Sequence, residues 1–288
     1  MPSLCRQTEI AIIFCSLASA LSASTITIPD SALTPTTSLY TNSLGSVVVM
    51  TGGGNANGAG DPSGRNDDGF SGPINLGFTL DFFGTDYTQF WINNNGNISF
   101  GGGISAYTPS GPTGATEPII SPFFGDVDTR NPASGVVMLN TSIPNEIIVT
   151  WPGVGYYDEN ADQLDTFQLV LRGPGYSIPA GQGQIGFFWT TMQWETGDAS
   201  GGTGGFGGTP AAVGFGDGLG NGQVLQGSIT NGISGIVNDE DLWFNLSQTG
   251  VPVTVSTTPE PFSVALVFAG LAGLLFFRRF SKKVLPLS

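Results

Sequence analysis

Glycine and proline interrupt this chain too often for long helices to form. There are 44 Gly and 19 Pro among its 288 residues, and they fall between apolar runs instead of forming one block. Glycine in an element interior loses conformational entropy and proline removes a backbone donor, so both collect in turns. The runs between them alternate with a period of two. Over residues 75–83, Leu76, Phe78, Leu80 and Phe82 share one face, with Gly77, Thr79 and Asp81 opposite. Residues 146–151 place Ile147, Val149 and Trp151 together, residues 184–194 do the same with Ile185, Phe187 and Trp189, and residues 166–171 form a denser apolar strand. Shorter strands are expected at 46–51, 135–140, 211–215 and 242–246. This is the strand signature, and no amphipathic helix pattern occurs between residues 24 and 258. In FWINNNGNISFGGG two such runs flank Asn95-Gly96, a pair suited to a type I′ hairpin turn. The expected fold is an all-β, antiparallel β-sandwich-like domain, with a signal helix before it and a single transmembrane helix after it.

Those two helices are read from the ends. Residues 1–23 combine a polar start carrying Arg6, an apolar run from Ile10 to Leu17, and the small-residue sites Ala18-Ser19-Ala20 and Leu21-Ser22-Ala23. This is the pattern of a secretory signal peptide, cut by signal peptidase. Cys5 and Cys15 both lie inside it, so processing leaves no cysteine for disulfides or thiolate chemistry. Near the other end, the sixteen residues from Phe262 to Phe277 carry no charge and are followed by Arg278, Arg279, Lys282 and Lys283. Sixteen helical residues span about 24 Å, against a hydrocarbon core of about 30 Å. Snorkelling arginines extend that reach, and the basic cluster holds the C-terminus in the cytoplasm. Pro259-Glu260-Pro261 stands directly before the apolar run. A Pro-Glu-Pro motif, a short transmembrane helix and an Arg pair, in that order, resemble the PEP-CTERM sorting tag of Gram-negative bacteria. The resemblance covers residues 258–283 and gives sorting roles to Pro259, Glu260, Pro261, Arg278 and Arg279. It implies an exosortase-type protease as partner, an inner-membrane intermediate, and delivery to the cell surface or extracellular matrix.

Of the 22 acidic residues only Glu9 and Glu260 lie outside residues 24–258, which leaves 20 against Arg65, Arg130 and Arg172, a net charge of −17. Such a surface repels phosphate backbones and excludes nucleic acid as a partner. The sequence has no histidine, so Ser–His, Cys–His and His–metal arrangements are excluded. The Gly-rich stretch 200–209 lacks the Lys and the strand–helix context of a phosphate loop. Carboxylates remain. Asp126 and Asp128 in GDVDTRN share one strand face, and could serve as a Ca²⁺ pair or a glycosidase pair. The plainer reading pairs these acids with Arg130 and the loop backbone. In DENADQLD, residues 158–165, Asp158 and Asp162 are further candidate calcium ligands, although the segment lacks the spacing of an EF-hand. Trp151 with Tyr156 and Tyr157 offers a carbohydrate-stacking surface as the less favoured alternative to core packing.

The middle of the chain also carries a series of blocks in order: FFGTDYTQFWINNNGNISFGG, IISPFFGDVDTRN, VTWPGVGYYDENADQLDTFQLVL, IGFFWTTMQWETGDASGG and PAAVGFGDG. Together they resemble the nidogen-like (NIDO) extracellular domain. The resemblance implies a β domain over 73–247, after an extended lead-in over 24–72, with a linker over 248–258 and the sorting segment over 259–283. It implies a role in cell–matrix adhesion, without enzymatic activity, through binding to extracellular polysaccharide or matrix proteins. No cofactor is expected beyond the calcium considered above. The alternatives are a secreted polysaccharide-binding module and a carboxylate-based glycoside hydrolase. For sorting, the mature protein is predicted to begin between Leu21 and Ser24 and to be cut near Pro259-Glu260-Pro261. Intact-mass spectrometry of surface and matrix fractions checks this. Exported protein that mostly retains the apolar segment would leave a plain membrane anchor instead.

Overall fold

The computed structural model describes residues 24–54, 57–111 and 115–255. The expected signal peptide and the expected sorting segment, with Pro259, Glu260, Pro261, Arg278 and Arg279, lie outside the described residues. Among the described residues no helix is long and apolar enough to cross a membrane.

The described chain is a β-sandwich. Its strands in chain order are β1 (Thr25–Ile28), β2 (Thr34–Pro35), β3 (Ser46–Val47), β4 (Gly52–Gly53), β5 (Gly69–Phe70), β6 (Ile74–Phe82), β7 (Thr85–Asn93), β8 (Asn97–Ser99) and β9 (Pro118–Phe124). They continue with β10 (Val127–Asp128), β11 (Met138–Asn140), β12 (Glu146–Tyr156), β13 (Asn160–Arg172), β14 (Ile185–Thr191), β15 (Ala212–Asp217), β16 (Gly222–Leu225), β17 (Glu240–Leu246) and β18 (Pro252–Thr254). One sheet runs β1-β16-β15-β9-β8-β7-β5-β4, with β6 added on β7. The other runs β18-β17-β14-β13-β12-β11-β3, with β10 on β12 and β2 on β17. Pairing is antiparallel except for β1 with β16, which is parallel.

The period-two pattern closes the sandwich. Phe90, Ile92, Ile98, Ile120, Val213 and Phe215 from the first sheet join Ile147, Val149, Trp151, Phe167, Leu169, Phe187, Trp189 and Phe244 from the second in one buried cluster. Phe187 stacks on Phe215 across the interface at 5.3 Å, and Trp151 stacks on Phe167 at 5.0 Å. Trp151 and Tyr156 are core residues, as the favoured reading had it, and do not offer the alternative carbohydrate-stacking surface. Two indole N–H groups bond across the sandwich. Trp151 Nε1 on β12 donates to Asn94 O at 3.0 Å, and Trp189 Nε1 on β14 donates to Pro122 O at 2.9 Å. Pro122 lies inside β9, between its partners β8 and β15, and the β9–β15 register shifts at that point. A strand-interior proline without an N–H is tolerated at such a bulge.

The lead-in differs from expectation. Residues 24–72 supply β1 to β5 and are part of both sheets, so the β unit begins well before residue 73. The cause is the outer face of the second sheet, which presents Ile148, Val170, Phe188 and Trp243 and is covered by Leu39 and Tyr40. In the same place Arg172 is fully buried. It donates to Glu146 Oε2 at 2.8 Å, Gly183 O and Gln182 Oε1, and lies over the rings of Tyr40, Tyr176 and Trp243. Within the segment given as a linker, Pro252–Thr254 forms a strand that pairs with β17. One short helix, α1 (Ile233–Val237), was not expected. The buried Glu195 carboxylate fixes its start by accepting from Gly232 N, Ser234 N and Ser234 Oγ.

The Asn95-Gly96 hairpin joins β7 to β8 as expected, but its turn is a different one. Asn93 pairs with Asn97, so the loop has three residues, and of these Gly96 alone has a positive φ, of 77°. That matches a type I turn closed by a left-handed glycine. The turn is buried, and a Cβ at Gly96 would lie 1.8 Å from Phe123 O. A β-branched residue there resists the left-handed conformation as well as the clash. Gly96→Val is therefore expected to cost about 2 kcal/mol or more, measured by equilibrium urea unfolding. A change near zero would refute this turn.

Candidate functional site

Five loops meet at one end of the sandwich. They are residues 57–68 before β5, the Asn94–Gly96 turn, Gly125–Thr129 around β10, Tyr157–Glu159 between β12 and β13, and Thr196–Asp198 after β14. Local geometry brings each one in. The β12–β13 ladder slips register twice between Trp151 and Tyr156, which bends the hairpin tip so that Tyr156 and Gly155 pair with Val127 and Asp128 of β10. Thr129 Oγ1 holds the loop before β5 by accepting from Asn66 N and donating to Asn66 O. Arg65 Nη1 adds bonds to the carbonyls of Thr129, Asn131 and Ser134. Tyr157 N bonds Asp126 O, and Asp198 N bonds Tyr157 O. Gly197 lets its loop approach closely, since a Cβ there would lie 2.4 Å from Asp126 Oδ2.

The acids gathered here are not the four expected. Asp128 behaves as the plainer reading predicted. Its carboxylate accepts from Arg130 Nε at 2.9 Å, from Arg130 N and from Glu159 N. Asp158 accepts from Arg130 Nη2 at 3.1 Å and is exposed. Asp162 stands apart, accepting from the Tyr156 hydroxyl at 3.0 Å. Asp126 is different, because neither of its oxygens has a hydrogen-bond partner. It meets Asp67 and Asp68, which lie in the lead-in, and one oxygen from each of the three lies within 4.8 Å of the others. Of the four acids expected, Asp126, Asp128, Asp158 and Asp162, only Asp126 joins a three-carboxylate cluster, and its companions are Asp67 and Asp68. Asp67 and Asp68 were missed because the loop before β5 is far away in sequence. The only signal was the run RNDDG, which resembles any solvated turn.

Burial sets the electrostatics. Asp67 and Asp126 are each 1% exposed. Arg130 Nη2 comes within 3.3 Å of Asp67 Oδ2, without hydrogen-bond geometry. Burial, reinforced by Asp128 and Asp68, pushes the Asp67 carboxyl from its ordinary 3.8 up to about 7. Burial, reinforced by Asp68 and Asp67, pushes Asp126 up to about 8. Asp68 is raised too, chiefly by burial, although Asn95 Nδ2 donates to it at 2.9 Å. The amide oxygens of Asn66, Asn94 and Asn95 are buried and unpartnered in the same loops. The donor set is all oxygen, as suits a hard cation and not a thiolate- or imidazole-seeking metal. Asp126 and Asp128 are both buried and Asp128 is held by Arg130, which is not the disposition of an acid/base pair facing a substrate cleft.

The fold and site define an acid-tipped β-sandwich module. The sequence profile of the NIDO-related family matches residues 33–242, and the chain belongs to that family. It is similar to alpha-tectorin of Gallus gallus, 32% identical over 199 residues, and of Mus musculus, 34% identical over 192 residues, covering 59% and 57% of this chain. It is also similar to nidogen of Drosophila melanogaster, 29% identical over 117 residues and 32% of this chain. Each match occupies 9% of the relative's length. No solved structure matches the chain.

The raised carboxyls give a pH dependence. Asp67, Asp126, Asp241 (raised to about 6, mainly by burial) and the buried Asp165 (raised well above its ordinary value by burial) all release their protons at higher pH in the folded state than in the unfolded chain. A carboxyl raised on folding stabilises fully below its unfolded value, and that contribution is lost as pH rises through the folded one. Protein stripped with EDTA is therefore expected to lose stability as the pH rises from about 4 to about 8. Urea midpoints at pH 5 and pH 8 check this, and a higher midpoint at pH 8 would contradict it.

Proposed function

We propose that this NIDO-related chain is an exported cell-surface or extracellular-matrix protein that acts in cell–matrix adhesion. The observation that carries the reading is the family match across the sandwich, supported by similarity to alpha-tectorin and nidogen. A signal-peptide pattern at one end and a PEP-CTERM-like segment at the other support export, through an inner-membrane intermediate, by an exosortase-type system of a Gram-negative bacterium. The domain acts by binding and not by catalysis. A sandwich with long loops at one end presents contacts on a rigid scaffold and needs no deep pocket.

One observation favours a second reading, a polysaccharide-binding module. Tyr107 and Phe206 are 40% and 44% exposed, on glycine-flanked loops joined by a Thr108–Ser200 hydroxyl bond. Exposed rings on adjoining loops suit stacking on sugar faces.

Deletion of the gene, complemented by the intact chain, tests the adhesive role. Loss of aggregation and matrix attachment that the intact gene restores is expected. Unchanged aggregation and attachment in the deletion strain would overturn the reading. A Tyr107→Ala, Phe206→Ala chain that restores attachment but no longer binds a glycan array would assign the glycan contact to those rings.

A further inference from the structure

We propose that Asp67, Asp68 and Asp126 bind a Ca²⁺-sized divalent cation, with amide oxygens of Asn66, Asn94 and Asn95 available to complete the shell, and that the ion locks the loop before β5 onto the end of the sandwich. Two oxygens bound to one ion at about 2.4 Å can be no more than about 4.8 Å apart. The three carboxylates meet that limit.

A second observation is independent of the acids. Buried polar atoms are almost always hydrogen-bonded, yet the buried amide oxygens of Asn66, Asn94 and Asn95 are not. Their amide nitrogens are committed. Asn95 Nδ2 donates to Asp68 Oδ1, on a cluster residue, and Asn94 Nδ2 donates to Val127 O, between Asp126 and Asp128. Asn66 Nδ2 donates to Asn57 O. Seven of the twelve unpartnered buried side-chain atoms among the described residues belong to Asn66, Asp67, Asn94, Asn95 and Asp126. Charge points the same way. Arg130 pairs with Asp67, Asp128 and Asp158 but forms no ion pair with Asp68 or Asp126, while Arg65 is occupied with backbone carbonyls. Uncompensated buried carboxylates are costly, and a divalent cation offsets them directly. Oxygen-only donors with several carboxylates and amide carbonyls are what Ca²⁺ takes, whereas Mg²⁺ keeps most of its water.

The ring of Trp194 packs beside Gly125, next to Asp126, and provides a donor for sensitised lanthanide luminescence. The full chain is purified, stripped with EDTA, and titrated with Tb³⁺ and then Ca²⁺. One high-affinity site is expected, with Trp-sensitised Tb³⁺ emission displaced by Ca²⁺. Ca²⁺ should raise the melting temperature by several degrees, because an ion that binds only the native state stabilises it. Asp67→Asn and Asp126→Asn, which keep side-chain size and remove charge, should each weaken Ca²⁺ binding at least tenfold, while Asp162→Asn leaves it unchanged. Hydrogen exchange on the unaltered protein localises the site even if a variant fails to fold, with Ca²⁺-dependent protection expected at residues 57–70, 94–97 and 125–129. The absence of any Ca²⁺ response at millimolar concentration would overturn the proposal. So would binding unaffected by both variants, protection elsewhere, or a response to Mg²⁺ alone.

Discussion

The sandwich depends on hydrogen bonds that cross its apolar core. Trp151 and Trp189 rise from one sheet and donate their indole N–H groups to backbone carbonyls of the other, at Asn94 and Pro122. Buried indoles need an acceptor, and these acceptors exist because the partner backbone departs from regular pairing. Asn94 is in a turn and Pro122 is at a bulge. Each irregularity leaves a carbonyl free of its ladder, and each indole uses it. The buried Asn93–Asn97 segment follows from the same constraint. Asn93 Nδ2 bonds Asn97 Oδ1 and Ser99 Oγ, Asn97 Nδ2 bonds Asn95 O, and Asn94 N bonds Gly69 O. A hairpin turn inside a fold must satisfy its own polar groups, and short amide side chains do so locally.

A second buried polar assembly joins the lead-in to the body. Arg172 and Glu146 lie opposite each other on β13 and β12, with their side chains on the outer face of the sheet. A desolvated guanidinium requires several acceptors and suits flat aromatic neighbours. Tyr40 supplies a ring and also donates its hydroxyl to Glu146. Thr41 bonds Gln168 through both its N–H and its carbonyl. The described lead-in from residue 24 is therefore structural: it covers an outer face that would otherwise expose Phe188 and Trp243, and it brings Asp67 and Asp68 to Asp126.

The acidic end has the opposite character. Elsewhere buried polar groups are largely paired, whereas here carboxylates and amide oxygens accumulate with few donors. The sandwich can hold them because the strands behind are over-determined by the aromatic core and the crossing indoles. Strain and unmet polarity concentrate at such ends when the scaffold beneath is rigid.

The sequence by itself determined that the chain is β, and it located the long strands. Alternation at 75–83, 146–151, 166–171 and 184–194 reports which side chains face the core, and that is a property of nearest neighbours. It also showed that the acids far outnumber the bases, that there is no histidine, and that both cysteines fall within the first fifteen residues. Even the Asp128–Arg130 pair was legible, because its members are two residues apart. Tertiary structure decided the rest. The placement of β17 followed from its pairing between β14 and β18. The depth of the Asn95-Gly96 turn was invisible, since the same residues suit an exposed hairpin. The meeting of Asp67 and Asp68 with Asp126, nearly sixty residues on, has no local signature at all. Short-range pattern records the face of a strand, but which loops share an end of a sandwich depends on strand order, and strand order is fixed only when both sheets close on a common core.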